Sequence, residues 1–342
     1  MKRLRFVLLF VLIVISYSES FAQSPKVELY SVFDLKVNVT IRAIEAVNDS
    51  TLWFSASGGT YGYTNDGGKH WKIDSMKIES TTPDFRSLAV LNDSTVLLLN
   101  AGSPAFIMKS TNRGKKWRSV YENHLKEIFF DAMKFSDEKN GFALADPIDG
   151  QFQILATNDG GDHWQMNKNL PSAFMGEACF ASSNSSLSIT KNSLWIGTGA
   201  SYNRVLSFGN ESRHWSSSTA LVQCCGSLQG IFSLDFYDDQ NGIVVGGDYS
   251  RKNKMDSTAA ITHDGGKTWK IVSSGILPMG SCVKFQPASS AKTIFVACLP
   301  GIYFSDDGGE NWKKLKDENG KEINDSYYVL DFSPSGKIVW LA

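Results

Sequence analysis

Seven ionisable side chains stand in or beside runs otherwise made of Val, Ile, Leu and Phe: Arg42, Arg86, Asp131, Asp146, Glu177, Arg204 and Asp248. Charges in such runs are costly unless they are paired. A carboxylate held in that setting is suited to moving protons, and Glu177 and Asp131 are the candidates for acid–base work. Arg42, Arg86 and Arg204 are the types that clamp an anion, with Asp146 and Asp248 as further contacts to a ligand. Ser233 and Ser281 fall at places equivalent to Arg42, Arg86 and Asp131. Two arrangements satisfy these residues equally. They ring an open site, or they pair with one another and fill the space between them.

Other chemistries find no support. Of the five histidines, His70, His163, His214 and His263 lie in or beside a recurring turn motif, which leaves only His124 as an imidazole base. A Ser-His-Asp triad or a His-based metal site is therefore not expected. Gly197-Thr198-Gly199 lacks the third glycine and the following helix of a dinucleotide loop, and Gly246-Gly247-Asp248 opens no helix either. The acidic turns lack the twelve-residue pattern and closing Glu of a calcium loop. No cofactor and no metal are expected.

The elements that must hold the charges are written in the recurring motif. It reads T-N-D-G-G-K-H-W (64–71), S-T-N-R-G-K-K-W (110–117), T-N-D-G-G-D-H-W (157–164), T-H-D-G-G-K-T-W (262–269) and S-D-D-G-G-E-N-W (305–312). A sixth copy, ending at Trp215, carries Asn210 at the Asp position and Ser212 at the Gly position. The closing tryptophans follow one another at 46, 47, 51, 54 and 43 residues, a period that means one supersecondary unit repeated. In each copy the Asp or Asn oxygen accepts nearby backbone N–H groups. The glycine supplies the positive φ of a tight hairpin, and the Trp buries a large plate between neighbouring sheets.

Pairs of short β-rich runs at 41–57, 86–102, 128–146, 175–199, 230–248 and 280–298 precede the six boxes, and a seventh pair at 327–341 has none after it. Each pair reads as the two inner strands of a four-stranded antiparallel blade, with the box joining the third strand to the fourth. The expectation is one all-β domain, a seven-bladed β-propeller over residues 23–342, its last blade completed by the N-terminal run Val27 to Phe33. That exchange closes the ring and hides the edges a linear array would expose.

The box resembles the Asp-box, or BNR, repeat of sialidases, sortilin-type receptors and photosystem II assembly-factor-like propellers. Stretches 130–133 through 146–150, 176–178 through 183–184, and 230–233 through 246–249 further resemble a group of secreted bacterial propellers, frequent in Bacteroidetes, labelled "oxidoreductase" or photosystem II assembly-factor-like. The resemblance implies a propeller that holds partners. An oxidoreductase role has no nucleotide loop or metal signature behind it. A sialidase needs an Arg-Ile-Pro motif, whereas the first strand reads Ile41-Arg42-Ala43-Ile44.

Lys2, Arg3 and Arg5 precede an apolar run from Phe6 to Ile15, and small residues end at Ala22, the pattern of a cleaved secretory leader over residues 1–22. This predicts a periplasmic or extracellular protein without a membrane span. The near-neutral charge, −1, and the lack of a basic face argue against nucleic acid. Five cysteines at 179, 224, 225, 282 and 298 make no framework, and one bridge between Cys282 and Cys298 is weighed against buried thiols. The reading is an exported, monomeric, non-catalytic propeller holding a protein or glycan at one mouth of its channel. The alternative is a glycosidase or polysaccharide lyase that uses the channel carboxylates on an acidic sugar.

Overall fold

A computed structural model describes residues 39–342 except 210–211, 221, 223 and 273–274, together with the backbone of two N-terminal strands, Leu9–Ser16 and Lys26–Asp34. It is an all-β propeller, and the only helical piece among the described residues is a 3-10 turn at Tyr249–Arg251. The inner strands are Ile41–Ala46, Phe85–Val90, Phe130–Phe135, Leu187–Ile189, Gln229–Phe236, Gly280–Phe285 and Leu330–Phe332. Each contacts the next, and the last returns to the first.

Six blades are complete within residues 41–314, each running inner to outer through four antiparallel strands. The expected count of seven blades is corrected to these six. Residues 330–341 supply two strands of a last sheet, Leu330–Phe332 and Ile338–Leu341. Their sheet is filled out by Leu9–Ser16, paired to Ile338–Leu341, and by Lys26–Asp34 outside it. The N-terminus was expected to add one strand and adds two, the first overlapping the apolar leader run. The cleavage position after Ala22 lies outside the described residues.

The fourth blade also departs from expectation. Its inner strand is Leu187–Ile189, paired with Ser193–Gly197. The run containing Glu177 forms instead a two-residue strand against Gly199–Ala200, which joins the fifth blade at Gly199 and Gly230. Gly230 takes φ +141, and a Cβ there would stand 2.4 Å from the Gly199 Cα, so both positions need glycine.

Boxes behave as their chemistry dictates. In the fifth blade the Thr262 hydroxyl donates to Asp264 (2.8 Å) and accepts the Gly266 N–H (3.0 Å). Asp264 accepts the Lys267 and Thr268 N–H groups, and Trp269 donates to the Gly266 carbonyl. Thr64, Thr157 and Ser305 repeat this pattern, and Ser110 does so with Asn112 in place of Asp. In the worn copy Trp215 donates to Asn169 of the preceding blade.

Cys282 and Cys298 are fully buried free thiols. A bulge shifts the register so that Cys282 faces Ala297 and Cys298 faces Gly280, which keeps them apart. The disulfide joins Cys224 to its neighbour Cys225 in an exposed loop.

Candidate functional site

Inner strands enter at one face of the ring, here called upper, where second strands end. The boxes lie at the lower face. A β-bulge interrupts five inner strands at one level, and the extra residues are Arg42, Arg86, Asp131, Phe232 and Ser281. Bulges re-aim the side chain they insert. This device gathers Arg42, Arg86 and Asp131 at the upper mouth, and the ends of the second strands and the loops bring Asp146, Glu177, Arg204 and Asp248 to the same face.

Their partners divide them. The Arg204 guanidinium donates to both oxygens of buried Glu177 (2.8 and 2.9 Å), and the Thr198 hydroxyl and Phe174 N–H also donate to that carboxylate. Glu177 is thus fully engaged in tying two loops together, with Arg204 lying 4.3 Å over the Phe174 ring. Asp248 caps the 3-10 turn and pairs with Arg251 at 2.7 Å. The Ser250 hydroxyl and then Arg251 hold its carboxyl down to about 2.

Asp131 is the opposite case. It is fully buried, and neither oxygen has a hydrogen-bond partner. Burial, and then the neighbouring Asp146, push its carboxyl well above the usual range. Asp146 accepts the Cys179 N–H at 2.9 Å and is itself raised by burial to about 6. Arg86 pairs with Asp84 at 2.8 Å. Arg42 stacks 4.3 Å over the Tyr328 ring and forms no ion pair among the described residues. Burial, and then Arg86, lower its pKa. An apolar patch adjoins these arginines: Phe180 stacks on Phe232 at 4.1 Å, Tyr249 and Tyr328 meet through their hydroxyls at 3.2 Å, and Met279 and Leu299 pack beneath.

Between the two mouths the channel is filled, and not by paired charges. The segment Ser182-Ser183-Asn184-Ser185-Ser186 crosses the axis. Asn184 bonds the Ser87 hydroxyl, accepts the Met133 N–H at 3.0 Å and donates to the Leu88 carbonyl at 3.1 Å. Ser183 donates to the Ser281 carbonyl at 2.8 Å, and Ser185 meets Ser233 at 2.7 Å. Nothing in the residue types of this run points to it. The one signal is length, since the run lies within the second-longest interval between closing tryptophans, Trp164 to Trp215.

Upper loops also carry most of the exposed apolar surface. Leu125, Phe174, Met175 (95% exposed), Tyr202, Leu228, Met255 and Ile276 all lie there, leaving only Ile73 and Met166 elsewhere among the exposed large hydrophobics of the described residues. Phe174 and Tyr202 stack at 4.5 Å. Exposed apolar side chains gathered on one face mark a candidate interaction face. Among the described residues no group of three or more His, Cys, Asp or Glu could hold a metal ion, and no helix is long and apolar enough to cross a membrane.

The BNR/Asp-box repeat profile matches residues 303–314. No curated protein matches the chain by sequence. Among solved structures, the fold is similar to YCF48 bound to D1 peptide (TM-score 0.61, 14% identity, 90% of this chain and 94% of that one). It is also similar to YCF48 from Cyanidioschyzon merolae (0.62, 15%, 90% and 97%). A third similar structure is the GH74 xyloglucanase from Xanthomonas campestris (0.61, 11%, 84% of this chain), of which the match spans 48%. At these identities the likeness concerns the fold. The chain is an all-β propeller that carries a BNR/Asp-box repeat at residues 303–314 and is similar in fold to the two YCF48 structures.

Proposed function

We propose that this is an exported, non-catalytic binding propeller whose upper face holds a protein ligand, with Arg42 receiving a carboxylate of that ligand. The observation that carries the reading is Arg42 itself: a guanidinium half withdrawn from water, braced on Tyr328, without an acid partner among the described residues, and bordered by apolar loops. A cation so placed gains from an incoming anion, while the surrounding apolar side chains supply the buried area of a protein interface. The similar fold of YCF48 bound to D1 peptide supports a peptide partner. The filled channel and the engagement of Glu177 by Arg204 weigh against a glycosidase, which needs two available carboxylates about 5–10 Å apart. Export rests on the leader pattern of residues 1–22; cleavage after Ala22 removes Leu9–Ser16 from the last sheet and leaves Lys26–Asp34 as the segment available to pair with Ile338–Leu341, and an N-terminus at Gln23 in protein recovered from a periplasmic or extracellular fraction is the expected finding.

The test is binding of the immobilised protein to a peptide library presented with free and with amidated C-termini. Acidic or free-carboxylate peptides are expected to bind, and Arg42→Gln should weaken them by about tenfold or more, the loss of one charge-assisted pair. Equal binding by Arg42→Gln, or release of sugar from an oligosaccharide panel that Asp131→Asn abolishes, would overturn the reading.

A further inference from the structure

The lower mouth carries a second ring of side chains, one from each inner strand: Glu45, Ala89, Lys134, Ser188, Asp235, Lys284 and Asp331. Much of it has a structural duty. Asp331 accepts the Ala46 N–H at 2.9 Å, Asp235 the Phe285 N–H at 2.8 Å and Ser188 the Phe236 N–H at 3.2 Å, so each stitches its blade to the next. Lys284 sits 3.7 Å from Asp235. That duty leaves Lys134 unexplained. Its ammonium has no hydrogen bond or ion pair among the described residues, and burial, and then Lys284, lower its pKa.

Ala89 is the smallest member of the ring, and a cavity of about 440 Å³ opens beside it. Glu45 and Asp331 line one side, Lys134 the other, with Ser136, Glu138 and Asp137, whose carboxylate accepts from the Lys139 N–H and the Asn140 amide, toward the rim. The volume is that of a small-molecule site. Inside the acidic rim its charge is divided: two carboxylates from adjacent blades, Glu45 and Asp331, on one wall, and the Lys134 ammonium two blades from Glu45. Asn184 and its neighbours separate it from the upper mouth.

We propose that this cavity is a second binding site, for a small zwitterion whose ammonium meets Glu45 and Asp331 and whose carboxylate meets Lys134. An amino acid or ω-amino acid is the class that offers both groups a few bonds apart. A cation alone leaves Lys134 unmatched, and an anion alone faces the two carboxylates, so the site discriminates by requiring both charges.

The experiment is calorimetric titration of the purified protein with glycine, L-glutamate, L-lysine, 4-aminobutyrate and 6-aminohexanoate, beside butylamine and butyrate. At least one zwitterion is expected to bind about tenfold tighter than either singly charged analogue, the worth of one added charge pair. Lys134→Met should remove that advantage, and Ala89→Leu, which fills the gap, should abolish binding, with circular dichroism confirming that both variants fold. If Ala89→Leu does not fold, Lys134→Met alone decides. Binding should also weaken as pH falls from about 8 to about 6. Glu45, raised to about 7 by burial with Asp331 adding to it and Lys134 opposing, takes up a proton there, while Asp235 and Lys284 complete the charges of the ring. Butylamine binding as tightly as every zwitterion, no zwitterion binding at about 10 mM, or unchanged affinity in Lys134→Met would each overturn the proposal.

Discussion

Asp131 shows how far a single residue can be read. Its place on an apolar strand marks it as costly, and the structure gives the form of the cost: a buried carboxyl with no donor for either oxygen. Its folded pKa lies above its unfolded one, so the folded state holds a proton that the unfolded chain gives up as pH rises past about 4. Stability therefore falls with rising pH above that point. Asp131→Asn removes the penalty, and its melting temperature at neutral pH should exceed the wild type by about 3 °C or more, with the difference closing near pH 4. Melting curves at the two pH values check this, and an equal difference at both would mean that another group carries the effect. The seven charges were legible as a set because each breaks an apolar pattern. Their pairing was not, even where it is local, as between Asp248 and Arg251. The Glu177–Arg204 pair depends on two loops meeting in space.

At the scale of the element, the box is a self-contained object, which is why its strand-to-strand role was readable from eight residues. Thr262 is buried, and its hydroxyl bonds both Asp264 and the Gly266 N–H. Thr262→Val keeps the shape and removes the acceptor, leaving a buried N–H unpaired at a cost of about 1–3 kcal/mol. Chemical denaturation should show that loss, and an unchanged midpoint would assign the turn's stability to Asp264 alone. The fourth blade was misread for the converse reason. Its inner strand is three residues long and follows a Ser/Asn run indistinguishable by composition from a surface loop. Only tertiary contacts, with Ser87, Met133, Ser233 and Ser281, bury that run. The bulges, likewise, leave no mark in strand periodicity, though they decide where Arg42 and Arg86 end up.

For the whole molecule, the sequence period predicts a closed ring, and closure is seen where Asp331 reaches Ala46. The period does not predict what lies on the axis. Asn184, at φ 56, joins blades two and three to the serines that reach blades five and six. Asn184→Ala strands two donors, the Ser87 hydroxyl and the Met133 N–H, and one acceptor, the Leu88 carbonyl, in the interior and should cost about 3 kcal/mol or more. Asn184→Gly relieves the backbone but not the lost bonds, so it should recover only part of this. Calorimetric unfolding of the two variants checks the order.

That axial segment changes the kind of object the ring is. Stacked repeats touch only their neighbours, and damage to one unit is felt chiefly beside it. A wheel with spokes to its hub behaves otherwise, because a strain applied at one sector of the rim is shared with sectors on the far side. A force applied at the loops around Met175 therefore loads a hub, not a hinge. Phe85–Val90 and Phe130–Phe135, which aim Arg86 and Asp131, are among the spokes, and the strand of Arg42 is braced through them as their neighbour.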